Sequence, residues 1–203
     1  MIGVLDYGMG NIASVINTLE YIGKDVKTVS TSDEFKDITH LIIPGVGSYQ
    51  TAIQNIINKG LKSEILKFAE NNKPILGICL GMQLLSSTGS EPNQCEGLNL
   101  IPGHVEKINT KNIRVPHVGW NTLNIADEDH PLFDFCKKNI DYYFVHSYRF
   151  VPESNEHILG TTNYGSEFTS IIGSGNIFGI QFHPEKSQKN GLQLLKNFIN
   201  INA

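Results

Sequence analysis

Pro74-Ile75-Leu76-Gly77-Ile78-Cys79-Leu80-Gly81-Met82-Gln83-Leu84-Leu85 fixes the fold class. Pro74 to Ile78 is short and apolar throughout, the pattern of a strand covered on both faces. A helix starts between Leu80 and Leu85. The junction reads Gly-x-Cys-x-Gly, the cysteine counterpart of the strained strand-to-helix elbow that lifts a serine out of a sheet. Such an elbow brings neighbouring backbone close, so side chains at 77 and 81 would clash. A helix N-terminus favours the thiolate, the reactive form of Cys79. The Leu80 N–H points to where an oxyanion would form. A buried structural cysteine in a glycine-flanked turn is the plainer alternative, and the strand–turn–helix context weighs against it.

The same alternation extends to both sides. Ile2 to Leu5 reads as a strand, Gly8-Met9-Gly10-Asn11 as a turn, and residues 12–22 as a helix, apolar at Ile12, Val15, Ile16, Leu19 and Ile22. Val26–Val29 and Thr39–Ile43 are further strands, and 50–57 and 61–70 are helical. Beyond Leu98 the pattern changes to short strand-like runs separated by Gly, Pro and Asn. These include Tyr142–Val145, His157–Leu159, Thr169–Ile172 and Ile177–Phe182. They suggest mixed or antiparallel additions to the sheet. A helix over 189–199 closes the chain. The expectation is one α/β domain over 1–203, its largely parallel central sheet flanked by helices, with a β-rich second half.

Composition narrows the function. The 203 residues are 40% hydrophobic and 18% charged, too apolar for a disordered chain. Sixteen Lys+Arg against 20 Asp+Glu give a net charge of −4, which argues against a nucleic-acid partner. No apolar run approaches the ~20 residues of a membrane span, and the N-terminus lacks the pattern of a secretion signal. Cys79, Cys95 and Cys136 are few, odd in number and scattered, which fits a reducing cytoplasm. No His, Cys and carboxylate set has metal-ligand spacing, so no metal is expected.

A nucleophilic cysteine needs a base, and the base an orienting acceptor. His183 in Gln181-Phe182-His183-Pro184-Glu185 follows an apolar strand end. In extended chain Glu185 lies on the same side, positioned to accept from one ring nitrogen while the other faces the thiol. His40, His104, His130 and His157 read as surface or loop residues. Pro44-Gly45-Val46-Gly47 follows the third strand and can turn backbone N–H groups toward a ligand. On its own that segment is an ordinary turn. Gly8-Met9-Gly10 lacks the third glycine of a dinucleotide fingerprint, and no phosphate-loop lysine motif is present.

These segments together resemble the class I glutamine amidotransferases, and within them the glutaminase subunits of imidazole glycerol phosphate synthases. The resemblance runs through 6–11, 44–47, 77–85, 97–103, Pro116-His117-Val118-Gly119-Trp120-Asn121, Tyr143–Tyr148 and 181–187. Val118 stands where that family often has methionine, and Asn99 where glycine is common. The resemblance implies a flavodoxin-like fold, no cofactor, and a Cys79–His183–Glu185 triad. Cys79 would attack the side-chain amide of glutamine, passing through a glutamyl thioester. It implies that Gly45, Val46 and Gly47 line the glutamine site, that Val46 and Leu80 supply oxyanion donors, and that Gln83 and His146-Ser147-Tyr148 hold the substrate. It also implies a heterodimer with a (β/α)8-barrel synthase subunit. That subunit would take the ammonia to form imidazole glycerol phosphate and an aminoimidazole carboxamide ribotide in histidine biosynthesis. Asn11, Pro116, His117, Trp120 and Lys186 match positions near that interface. Three alternatives stand beside this reading: a paralogue feeding ammonia to an enzyme that amidates surface sugars, a cysteine peptidase-like hydrolase, and a binding module without catalysis.

Overall fold

The structure is a computed structural model and describes residues 1–91, 93–109, 113–136 and 139–202. In chain order the first half runs β1 (Ile2–Leu5), α1 (Ile12–Tyr21), β2 (Val26–Val29), β3 (His40–Ile43), α2 (Tyr49–Asn58), α3 (Leu61–Glu70), β4 (Ile75–Ile78) and α4 (Leu80–Leu84). The second runs β5 (Thr88–Ser90), β6 (Gln94–Glu96), β7 (Gly103–Lys107), β8 (His117–Ile125), β9 (Ile140–His146), β10 (Tyr148–Pro152), β11 (Ile158–Asn163), β12 (Glu167–Ser174), β13 (Ile177–Ile180) and α5 (Gln188–Asn200). Helix spacing matches burial. Tyr49, Ala52, Ile53 and Ile56 of α2 are buried, as are Leu61, Ile65 and Phe68 of α3, which is one stripe per helix.

The main sheet is ordered β2-β1-β3-β4-β13-β12-β11-β8-β9. β2, β1, β3, β4 and β13 are mutually parallel, and β13 onward is antiparallel. The parallel part has the flavodoxin order, in which β1 and β3 flank a reversal of winding direction. Ligands bind there, beyond the carboxyl ends of the strands. Successive strand residues serve opposite faces. Leu41 and Ile43 pack with α2 and α3, while Ile42 packs on the face shared by α1 and α5.

Two outcomes differ from expectation. The second-half strands do not all join the main sheet: β10-β7-β5-β6 form a separate four-stranded sheet. Its inner residues Val105 and Phe150 pack into the α2–α3 core, so that core is closed by strands rather than by a further helix. The helix after Cys79 ends after five residues, and Leu98, Leu100 and Ile101 donate backbone N–H groups to the carbonyls of Leu84 and Leu85. Asn99 takes φ 53, a left-handed conformation that asparagine tolerates better than other side chains. That accounts for its presence where glycine is common. No helix among the described residues is long and apolar enough to cross a membrane.

Candidate active site

Cys79 sits between β4 and α4 with φ 55 and ψ −108, a conformation costing roughly 1–3 kcal/mol in a non-glycine residue. Its amide donates to the Ile180 carbonyl across 2.8 Å, tying the elbow to the neighbouring strand β13. A Cβ on Gly81 would land on the Ile43 carbonyl oxygen, and one on Gly77 would stand 2.5 Å from the Gly81 oxygen. Both glycines are therefore required by backbone-to-backbone approach.

Cys79 lies on the floor of a cavity of about 340 Å³. Val46, Gly47, Leu80 and Gln83 line it from the first half of the chain. His146, Ser147, Tyr148 and His183 line it from the second half, with Pro116 and Lys186 also on its wall. Strand β9 is tied to the segment that carries His183: the His183 amide donates to the Tyr143 carbonyl at 2.9 Å. Ser187 Oγ accepts from the Tyr143 amide at 3.0 Å and donates to the His183 carbonyl at 2.6 Å.

His183 Nδ1 meets Glu185 Oε1 at 2.8 Å, with both side chains buried. The backbone that achieves this is not extended. Pro184 to Lys186 form a 3-10 turn, and the turn folds the carboxylate back onto the ring. Burial pulls the His183 pKa down, but hydrogen bonds and charge attraction from Cys79 and Glu185 outweigh it and raise it to about 10. The imidazolium is thus the favoured form at neutral pH, with Nε2 left to face the sulfur.

One expected cavity placement is corrected. Gly45 does not line the cavity. It lies behind the loop, where a Cβ would stand 2.6 Å from the Tyr7 hydroxyl and 2.9 Å from the Gly81 nitrogen. His117, matched to a position near the partner interface, is buried. It is 2% exposed, stacked between Phe144 and Tyr164 at centroid distances of 4.8 and 3.9 Å. Its Nδ1 lies 3.0 Å from His146 Nε2. Trp120 is exposed and edge-on to Tyr143, over whose ring the exposed Lys186 Nζ stands at 5.9 Å. Asn11 is half-buried, on the far side of His183 and Glu185 from the cavity. Of the histidines read as surface residues, His40 instead packs edge-on to Phe198 and bonds the Ile201 carbonyl at 2.9 Å.

Sequence reading missed two residues. Glu91 is the one carboxylate lining the cavity among the described residues. Its Oε2 accepts from the Tyr49 amide at 3.2 Å, and burial raises its pKa. Gln181 is fully buried, with its amide nitrogen 3.8 Å from Cys79 Sγ. Glu91 carries no local motif, and Gln181 looks like one more strand-end residue.

Burial lowers the pKa of His117 to about 4 and of His146 to about 3. Below pH 6.5 the unfolded chain protonates both rings while the folded chain does not, so the unfolded state binds more protons and stability falls as pH falls. We expect a loss on the order of 3 kcal/mol between pH 7 and pH 5, read from denaturant midpoints. A flat profile over that window would show that the rings are not held neutral.

The fold and the cavity define an amidotransferase-type α/β enzyme. A model of the family Glutamine amidotransferase class-I matches residues 3–201. The imidazole glycerol phosphate synthase subunit HisH of Moorella thermoacetica is 46% identical over 197 residues, 97% of this chain and 93% of that protein. The chloroplastic imidazole glycerol phosphate synthase hisHF of Arabidopsis thaliana is 41% identical over 202 residues, 98% of this chain but 34% of that longer protein. The structure of PurLQS from Thermotoga maritima shares the fold, with TM-score 0.77 at 23% identity over 98% of this chain and 97% of that one. The chain belongs to the class I glutamine amidotransferases and, within them, to the HisH subunits of imidazole glycerol phosphate synthase.

Proposed function

We propose that this chain hydrolyses glutamine at Cys79 and delivers the ammonia to a synthase partner in histidine biosynthesis. The observation that carries the reading is Cys79 on its strained elbow, lining the cavity. Beside it is an imidazole held by a buried carboxylate. The sulfur adds to the side-chain carbonyl carbon of glutamine, and the carbonyl oxygen takes the negative charge. The Leu80 N–H, at the start of α4, is one donor to it, and the Val46 peptide across the cavity is the second. His183 gives its proton to the departing amine, the C–N bond breaks, and a thioester remains. His183 then takes a proton from water, the hydroxide displaces sulfur, and glutamate leaves. Glu185 keeps the ring oriented and stabilises its charged form. Gln83 and His146-Ser147-Tyr148 shape the substrate pocket, and Glu91 attracts the α-ammonium group.

The partner is a separate (β/α)8-barrel cyclase subunit in a heterodimer. The Arabidopsis relative, in which the region like this chain is about a third of a longer protein carrying the synthase's name, supports it. Pro116 and Lys186 on the cavity wall, the exposed Trp120 and Asn11 behind His183 and Glu185 are the contacts we assign to it. His117 acts from beneath that surface. Residues 1–203 work as one unit in a cytoplasmic setting that keeps the free cysteines reduced.

The test is glutamate release by the purified chain, alone and with the barrel synthase and its ribotide substrate. If partner loading turns the Val46 N–H into the site, the rate rises by about 10²–10³-fold, the worth of one oxyanion donor. No rise, with Cys79 still labelled by a glutamine analogue, would mean that a different acceptor takes the ammonia.

A further inference from the structure

A run of buried side-chain amides and imidazoles ends on the Cys79 sulfur, and its direction is determined. Gln83 Nε2 donates to the Tyr148 carbonyl at 3.0 Å and to Gln181 Oε1 at 3.1 Å, so both hydrogens of that amide are used. Gln181 is 0% exposed and cannot turn to water. With its oxygen on Gln83, its NH2 group must face Cys79 Sγ, 3.8 Å away. The reversed amide would set two NH2 groups against each other and place an oxygen on the sulfur. The far end is fixed as well. The Tyr148 carbonyl can only accept, so His146 Nδ1 carries the hydrogen of their 2.8 Å contact. His146 Nε2 then accepts from His117 Nδ1.

The sulfur has different neighbours in its two protonation states. As a thiol it donates to the Val145 carbonyl at 3.7 Å. As a thiolate it loses that hydrogen, and the carbonyl oxygen then repels it. Among the described residues, the side chains that can still donate to it are those of His183 and Gln181. We infer that the Gln181 carboxamide is a fixed hydrogen-bond donor to the Cys79 thiolate, favouring the ionised sulfur and holding it in position for attack. Gln181 does not line the cavity, so it acts on the sulfur and not on glutamine. Gln83 and His146 are positioning residues for it. This rests on the reading of Cys79 as the nucleophile.

The experiment follows alkylation of Cys79 by iodoacetamide against pH, read by mass spectrometry at that residue, in the wild-type chain and in Gln181→Met. A hydrogen bond to a charged group predicts a midpoint higher by about one pH unit in the variant. It also predicts a kcat for glutamine, in complex with the synthase partner, lower by roughly 10–100-fold at unchanged KM. A merely structural role would leave the midpoint where it is. If the variant does not fold, the wild-type chain answers by NMR: the Gln181 side-chain amide protons shift across the same midpoint as Cys79 ionises. An unshifted midpoint in a folded variant, or amide protons blind to the titration, overturns the inference. A wild-type chain whose Cys79 takes no glutamine-analogue label overturns the nucleophile reading itself.

Discussion

Cys79→Ala is expected to lower glutamine hydrolysis by about 10⁶-fold, to the level of background. The size of the effect follows from what the other groups can do without the sulfur. His183 has no proton to exchange with a nucleophile, and the oxyanion donors have no adduct to stabilise. The fold should survive. Alanine keeps the Cβ and meets the same φ 55 with the same strain. Apart from its hydrogen bond with His183, the thiol's side-chain contacts among the described residues are long, at 3.7 and 3.8 Å. Thermal or denaturant melts should therefore agree with wild type within about 1 kcal/mol. Adding His183→Ala to Cys79→Ala should cost nothing more, because groups that act as one unit are not additive. The measurement is glutamate release in the presence of the synthase partner, with melts run on the same samples. Hydrolysis within about tenfold of wild type that stays with the folded chain would remove Cys79 from the mechanism.

Much of this site is legible in the sequence because strict steric demands leave marks there. Gly77 and Gly81 are visible since backbone approaches backbone at both, and no other residue fits. Strand β1 and helix α3 emerge with their boundaries because apolar periodicity over four to ten residues is unambiguous in those segments. The His183–Glu185 pairing is legible for a reason that needed correcting: a 3-10 turn, and not an extended chain, brings the two together. What the sequence hides is long-range. The separate sheet depends on β7 pairing with β5 and with β10, some 45 residues further on, and no local pattern announces a partner at that distance. His117 looks like a loop histidine until Phe144, Tyr164 and Phe168 close around it. Glu91 and Gln181 become significant only once the cavity and the sulfur have positions, since their role is set by what faces them.

The second large effect is on stability. Gly81→Ala would ordinarily favour a helix by about 1 kcal/mol, and here the sign reverses. The new methyl would occupy the position of the Ile43 carbonyl oxygen. That oxygen belongs to the end of β3, which is paired with β4 on one side and runs into the 44–47 loop on the other. No side chain can swing away to make room, so either α4 or β3 must move. α4 carries Leu80, Met82 and Leu84, all buried in the α2–α3 core, and lifting it opens a cavity under each. Displacing even one or two such side chains costs roughly 2–5 kcal/mol apiece, against a total stability of about 5–15 kcal/mol for an ordinary domain. Gly81→Ala is therefore expected to be largely unfolded or insoluble at ambient temperature, and any folded fraction to be inactive because the Leu80 N–H no longer faces the oxyanion. Gly23→Ala is the informative control. Its φ is 76, but nothing lies within 4 Å of the added Cβ, so it should cost only about 1–2 kcal/mol of conformational strain. Denaturant midpoints of the two variants separate the effects, and a Gly81→Ala chain that melts with the Gly23→Ala chain would mean that α4 is free to slide on β3.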